Sequence, residues 1–310
     1  MLNDGKRGFL TRNKTKKNLI LLMLALPGML FVIVFNYLPM PGIVIAFKDY
    51  RPLRGIWGSA WNGLDNFRFF FASQDAFRTI RNTVAYSTVF LILDILFGVM
   101  IALILYYIKS NRSVRAYHSI IMLPRFLSIV IVSFIVYALF SSSYGLANKL
   151  MSILGRENVN WYGTASAWPY ILTATKVWMS LGTGCLFYYS ALTAIDPSLF
   201  EAARIDGANA LDEVRHICLP SLLPIISILT ILGIGNLFSG DFGLFYTVPK
   251  NQGILYETTD IINTYVFRAL QGGSLSKSTA VNLFQSLVGL ILVLTSNGII
   301  RKISPENSMF

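Results

Sequence analysis

Glu201-Ala202-Ala203-Arg204-Ile205-Asp206-Gly207-Ala208, continuing to Ile217-Cys218-Leu219-Pro220, is a short polar island between two long apolar runs. The flanking runs have the length and composition of membrane-spanning helices, so the island has to lie outside the bilayer. Its local chemistry is explicit. Asp196 is suited to cap the free amides of a helix start, and Pro197 suits the first helical position. Gly207 can take the left-handed conformation that ends a helix. A second helix from about Ala210 then leads through Val214 and Ile217 into Leu219-Pro220. The expected object is a bent pair of short helices joined to two spans. Ala202, Ala203 and Ala208 are small enough to let another surface approach the backbone, and Glu201 and Asp206 supply charges that orient it.

Composition extends this reading to the whole chain. Of 310 residues, 54% are hydrophobic and 13% charged, against about 25% charged in a soluble domain. The formal charge of +11 is not a nucleic-acid signal. Lys6, Arg7, Arg12, Lys14, Lys16 and Lys17 stand directly before a charge-free run from Asn18 to Phe47, where basic residues orient a membrane protein. That run is too long for a cleaved secretory signal. Pro39 and Pro41 are expected to end its helix near Tyr37, leaving an irregular or re-entrant remainder. Further spans are expected at Val84–Ile108, Ile120–Phe140, Ala167–Ile195, Leu219 to about Ser239, and Thr279–Ile300. The fold class is therefore all-α: a polytopic membrane protein of six transmembrane helices forming one domain over 1–310. Residues 1–17 form a cytoplasmic tail, residues 196–218 a cytoplasmic loop, and both termini are cytoplasmic. Lys and Arg outside the spans number thirteen on the inner side and eleven on the outer. The bias is concentrated in the short tail and the loop after span two, the segments that carry topological weight. The segment from Lys48 to Arg81, with Trp57, Trp61 and Phe67 to Phe71, fits a packed outer cap or an interfacial helix.

Charged side chains within spans are costly and generally face a partner or a cavity. Lys176 and Asp94 lie at similar depths in spans four and two. One reading pairs them with each other. The other places Lys176 on a pathway, meeting an anionic sugar such as a uronate. Trp178 and Phe187 are readable as sugar-stacking rings or as plain helix packing. Gly272 to Thr279 superficially resembles a phosphate-binding loop, but Ser276 stands where the pattern requires Gly. Cys185, Cys218, His118 and His216 form neither a disulfide framework nor a metal cluster.

The triplet Glu201-Ala202-Ala203, Asp206-Gly207-Ala208 and Ile217-x-Leu219-Pro220 resemble the signature of permease subunits of binding-protein-dependent ATP-binding-cassette importers. Val214 departs from it, since the family often carries an aromatic residue there. Asn36 to Gly42, Ala46 to Tyr50, Gly63 to Phe67 and Arg81-Asn82-Thr83 resemble the carbohydrate-uptake branch, which handles oligosaccharides and polysaccharide fragments. The resemblance covers essentially the whole chain. It implies a type I importer permease fold in a bacterial cytoplasmic membrane, with Glu201, Ala202, Ala203, Asp206, Gly207 and Ala208 coupling to a separate ATPase. It also implies two cytoplasmic ATPase subunits, a second homologous permease, an extracytoplasmic solute-binding protein and an oligosaccharide substrate, with acidic, uronate-containing sugars in view. ATP and Mg would sit on the ATPase, leaving no cofactor or metal in this chain and no enzymatic activity. Likeness to maltose-type permeases puts Lys176, Ser180, Asn236, Ser239 and Asp241 on the substrate pathway. The competing reading is a secondary transporter of small polar solutes driven by an ion gradient, with Asp94 or Lys176 as the coupling group. Such proteins often carry internal repeats, and none is evident in this sequence.

Overall fold

The computed structural model describes residue 18 and residues 20–303. The basic tail, residues 1–17, lies outside the described residues. Helix α1, residues 20–32, passes through a π-helical turn at Ile33–Tyr37 and then a 3-10 helix at Met40–Phe47. The helical ladder does break near Tyr37, as the prolines require. The remainder, however, winds on as a regular 3-10 helix with Pro41 in its first turn, where a missing N–H costs nothing. Every residue over 20–41 is exposed, so this apolar segment contributes no buried side chain to the core.

Helix α2 runs from Gln74 to Tyr106, starting ten residues before the expected Val84 because Ser73 caps it by accepting from the Ala76 amide at 3.3 Å. Its 33 residues extend about 50 Å at 1.5 Å per residue, well beyond a hydrocarbon core of about 30 Å. The third span is not straight. Helix α3 (Asn111–Met122) and a 3-10 turn (Leu123–Phe126) meet helix α4 (Ile129–Phe140) at a 96° bend. Leu123 stays helical ahead of Pro124, which sits in the first positions of the 3-10 turn. The chain leaves the helix at Leu127 (φ −73°, ψ 134°) and Ser128, whose side chain caps α4 by accepting from the Val130 amide. Helix α5 follows at Trp168–Thr193 and the island helix α6 at Pro197–Ile205. Helix α7 is Leu219–Gly235, α8 is the amphipathic Ile262–Gln271, and α9 is Leu275–Ile303. The strands are a two-residue hairpin in which Lys48-Asp49 pairs antiparallel with Ala60-Trp61. Asn66 locks it by donating to the carbonyls of Ala46 (2.8 Å) and Lys48 (3.0 Å).

By length and apolarity, four helical runs among the described residues can cross a membrane, and five if the bent pair counts as one span. Helix α5 is long enough but less apolar, and the packing explains why. It lies in the interior of the bundle against α2, burying Leu172, Cys185, Tyr188 and Leu192 rather than facing lipid. Glycines set that contact. A Cβ on Gly98 would come within 2.9 Å of the Tyr188 ring and 3.3 Å of the Gly184 carbonyl carbon. A Cβ on Gly182 would lie 2.7 Å from the Met122 Cα and 2.8 Å from the Ile121 oxygen. Small residues at such crossings let backbones approach and gain dispersion energy. Because the obstruction at Gly182 is backbone, Gly182→Ala is expected to destabilise by about 1–3 kcal/mol, the usual cost of overpacking. Thermal melting of the detergent-solubilised protein checks this. An unchanged midpoint would mean that α3 yields freely.

Candidate functional site

Two regions carry the chemistry-bearing residues. The first is the island at the α6 end of the bundle. Asp196 Oδ1 accepts from the Ser198 amide at 2.9 Å, and the Ser198 amide and hydroxyl hold the Asp196 carboxyl below the usual carboxylate range. Helix α6 ends in a Schellman motif. Ala208 N–H donates to the Ala203 carbonyl at 2.9 Å and Gly207 N–H to the Arg204 carbonyl at 3.1 Å. Gly207 has φ +85°, which a residue with a Cβ rarely adopts. Asn209 then caps the next turn with a reciprocal box to Asp212. From Ala210 the chain winds without interruption through a π turn at Val214–Cys218 into α7.

Of the island residues singled out above, Glu201, Ala202, Asp206 and Gly207 are exposed, and Ala203 and Ala208 are partly so. Among the described residues Glu201 makes no hydrogen bond or ion pair. Beside it Ile205 and Leu211 are 86% and 76% exposed, apolar surface on a loop that is otherwise charged. Sequence reasoning missed what holds this loop in place. Glu213, 3% exposed, accepts from Arg204 Nε at 2.6 Å and from the Tyr107 hydroxyl at 3.0 Å. Phe200 is buried against Tyr106, with ring centroids 5.6 Å apart. Its core is built from α2 (Ala102, Leu105), α5 (Tyr188, Leu192) and α7 (Leu222).

The second region is a row of polar cavities that begins between those same three helices and continues past the end of α7 to α8 and α9. One, of about 290 Å³, is lined by Asp94, Arg125, Lys176, Ser180 and Thr183 among apolar neighbours. The next, about 350 Å³, shares Asp94 and Lys176 and adds Ser87, Asn236, Ser239 and Asp241. A third, about 470 Å³, shares Asn236 and Ser239 and adds Asn263, Asn282, Gln285 and Ser286. All five of Lys176, Ser180, Asn236, Ser239 and Asp241 thus line one connected set of cavities. Trp178 faces a separate apolar groove between α2 and α5, and Phe187 lines the first polar cavity.

Lys176 does not pair with Asp94. Its Nζ donates to Asp241 Oδ2 at 2.9 Å, and Asp94 Oδ1 instead accepts from the Ser180 hydroxyl. The turn after α7 carries Asp241 across to α5, where its other oxygen caps a short helix by accepting from the Leu244 amide at 3.2 Å. Arg125 and the carboxamides of Asn263, Asn282 and Gln285 also escaped the sequence reading. A signal existed for the last two. Asn282, Gln285 and Ser286 recur at helical spacing on one face of an otherwise apolar helix. No comparable pattern marks Arg125, which lines the cavity from the 3-10 turn just before the bend.

The model of the binding-protein-dependent transport system inner membrane component matches residues 94–305. Protein LplB of Bacillus subtilis is 35% identical over 94% of this chain and 91% of the relative. The polygalacturonan/rhamnogalacturonan transport system permease protein YteP of the same organism is 34% identical over 92% and 89%. The crystal structure of a bacterial alginate ABC transporter in complex with an alginate pentasaccharide-bound periplasmic protein contains a chain that superposes with TM-score 0.85 at 30% identity. That match covers 94% of this chain and 97% of the other.

Proposed function

The chain belongs to the family of binding-protein-dependent transport system inner membrane components, and we propose that it forms half of a pathway carrying oligosaccharides across a bacterial cytoplasmic membrane. A second homologous permease supplies the other half, and an extracytoplasmic binding protein delivers the sugar. Two cytoplasmic ATPase subunits, holding ATP and Mg, drive the cycle through Glu201, Ala202, Ala203, Asp206, Gly207 and Ala208. Both termini and the 196–218 loop lie in the cytoplasm. Support for the substrate class comes from relatives named for polygalacturonan, rhamnogalacturonan and alginate.

One observation carries the mechanism. The Phe200 anchor of the loop packs on α2, α5 and α7, and those three helices line the first polar cavity. Closure of the ATPase dimer moves Glu201 and the exposed apolar pair Ile205 and Leu211 with it. Phe200 and the Arg204–Glu213–Tyr107 linkage pass that motion to the bundle as a rigid body. The cavity walls then shift against each other, and access alternates between the two sides. The carboxamides of Asn236, Asn263, Asn282 and Gln285 both donate and accept, which suits sugar hydroxyls without trapping them.

The test is reconstitution of the chain with its partner permease, ATPase and binding protein in proteoliposomes. ATP-dependent uptake of a labelled oligosaccharide is expected, with hydrolysis stimulated by the sugar-loaded binding protein. Uptake that survives removal of the ATPase, or that collapses with an uncoupler at constant ATP, would instead establish an ion-driven carrier.

A further inference from the structure

Two cations meet in the first polar cavity, and they are held differently. The Lys176–Asp241 pair is reachable, with side-chain exposures of 23% and 38%. Arg125 is exposed and, among the described residues, has no hydrogen bond or ion pair at all. It stands on the 3-10 turn at the 96° break, two residues before the chain redirects. Interrupted helices at membrane depth are tolerated where they line a cavity or are covered by protein, and side chains at such breaks commonly serve a ligand. Arg125, Lys176 and Ser180 share one cavity wall, and both cations lie within electrostatic reach of Asp94. Asp94 is already engaged by the Ser180 hydroxyl, so it does not neutralise Arg125 by direct contact.

We propose that Arg125 and Lys176 form a binding site for a carboxylate of the passing sugar, with Asp241 as the resident anion that the substrate displaces. The inference rests on the importer reading above and names the chemical group this part of the pathway takes. Guanidinium presents a planar fork that matches a carboxylate bidentately, and the lysine ammonium adds a point charge. In the sugar-free protein Asp241 occupies Lys176. A uronate entering the cavity takes the fork of Arg125 and exchanges with Asp241 on Lys176. Asp241 keeps its bond from the Leu244 amide throughout, so the exchange does not unwind the helix it caps. Lys176 is never left without a counter-charge, which spares the cost of an unpaired cation at this depth. Release is helped by the same competition, because Asp241 is always adjacent to reclaim the lysine. The neutral carboxamide cavity beyond then takes the hydroxyls of neighbouring rings.

The experiment is equilibrium dialysis on the purified permease–ATPase assembly in nanodiscs, without binding protein, so that delivery does not filter the ligands. The probes are trigalacturonate and its carboxyl-reduced neutral trisaccharide. Arg125→Gln is expected to weaken trigalacturonate about 10- to 100-fold, the loss implied by removing charge-assisted hydrogen bonds, while neutral binding is unchanged. Arg125→Lys retains part of the acidic affinity because the charge remains and the fork does not. Asp241→Asn has the opposite sign. Asparagine still caps the helix, the competitor is gone, and trigalacturonate binds several-fold tighter. A merely structural role predicts that both substitutions weaken both sugars. That result, equal effects of Arg125→Gln on the two probes, or no preference of the wild type for the acid would overturn the proposal. If ATP-dependent uptake itself is absent, the importer reading falls. If uptake is present and Arg125→Gln treats both sugars alike, only the carboxylate site falls.

Discussion

Asp260→Asn is expected to lower accumulation of the folded protein severely. The Asp260 side chain is 0% exposed and holds two guanidinium groups at once. Arg268 Nη2 donates to both of its oxygens at 2.7 Å, and Arg78 Nη2 donates to Oδ2 at 2.9 Å. Thr264 Oγ1 adds a fourth contact at 2.8 Å. This node ties the start of α2 to α8 at the end of the bundle opposite the island. A carboxamide is nearly isosteric, but it carries no charge and turns two donor hydrogens toward groups that only donate. Arg78 keeps Asp75 at 2.6 Å, whereas Arg268 loses its counter-charge and keeps the one remaining acceptor oxygen and the face of Tyr256, 4.2 Å from its guanidinium carbon. Removing one member of a buried ion pair costs about 3–5 kcal/mol, because the remaining charge stays desolvated without a partner. That is a large share of a typical folding stability of about 5–15 kcal/mol. Membrane-fraction abundance and the melting temperature in detergent measure the effect. Asp260→Asn combined with Arg268→Met should recover much of the loss, since both unmatched groups are then gone. A single variant that melts with the wild type would show that water already solvates this cluster.

Glu201→Ala is expected to do the reverse, sparing the fold and removing function. Glu201 is exposed and bonded to nothing among the described residues, so its loss should move stability by no more than about 0.5 kcal/mol. Transport in the reconstituted importer should fall by about tenfold or more, the effect of losing an anchor at the centre of an interface. ATP hydrolysis should lose its dependence on the loaded binding protein. Glu213→Ala provides the contrast. It also lowers transport, but by freeing Arg204 and Tyr107 and loosening the loop from α2, so it is expected to lower the melting temperature as well. If Glu201→Ala transports like the wild type, the island does not couple through that side chain.

The parts of this protein that were legible in its sequence are those decided within a few residues. Charge-free runs of spanning length follow from the cost of burying polar groups in hydrocarbon. The island's helix, glycine stop and second helix follow from Asp196, Pro197 and Gly207, each acting on its own neighbouring amides and dihedrals. Element ends were less legible. Ser73 started α2 ten residues early, and after the break near Tyr37 the chain wound on as a 3-10 helix, with Pro39 at its N-cap and Pro41 in its first turn, instead of running irregularly.

Tertiary structure alone decided which charges meet. Lys176 and Asp94 are matched in depth, yet the lysine finds Asp241, 65 residues along the chain, and Asp94 finds Ser180. That choice depends on the rotation and offset of α2, α5 and α7, which are constrained by close approaches of Gly98 to Tyr188 and Gly184 and of Gly233 to Leu91. A hydropathy pattern contains no term for helix rotation about its axis relative to a neighbour. For the same reason the sequence does not show that Arg125, on the turn just before the 96° bend, lines the same cavity as Lys176. Membership of the bilayer is a property of single segments and is written in each of them. The composition of the pathway is a property of several segments packed together, and it exists only once glycine contacts and the broken span have set their geometry.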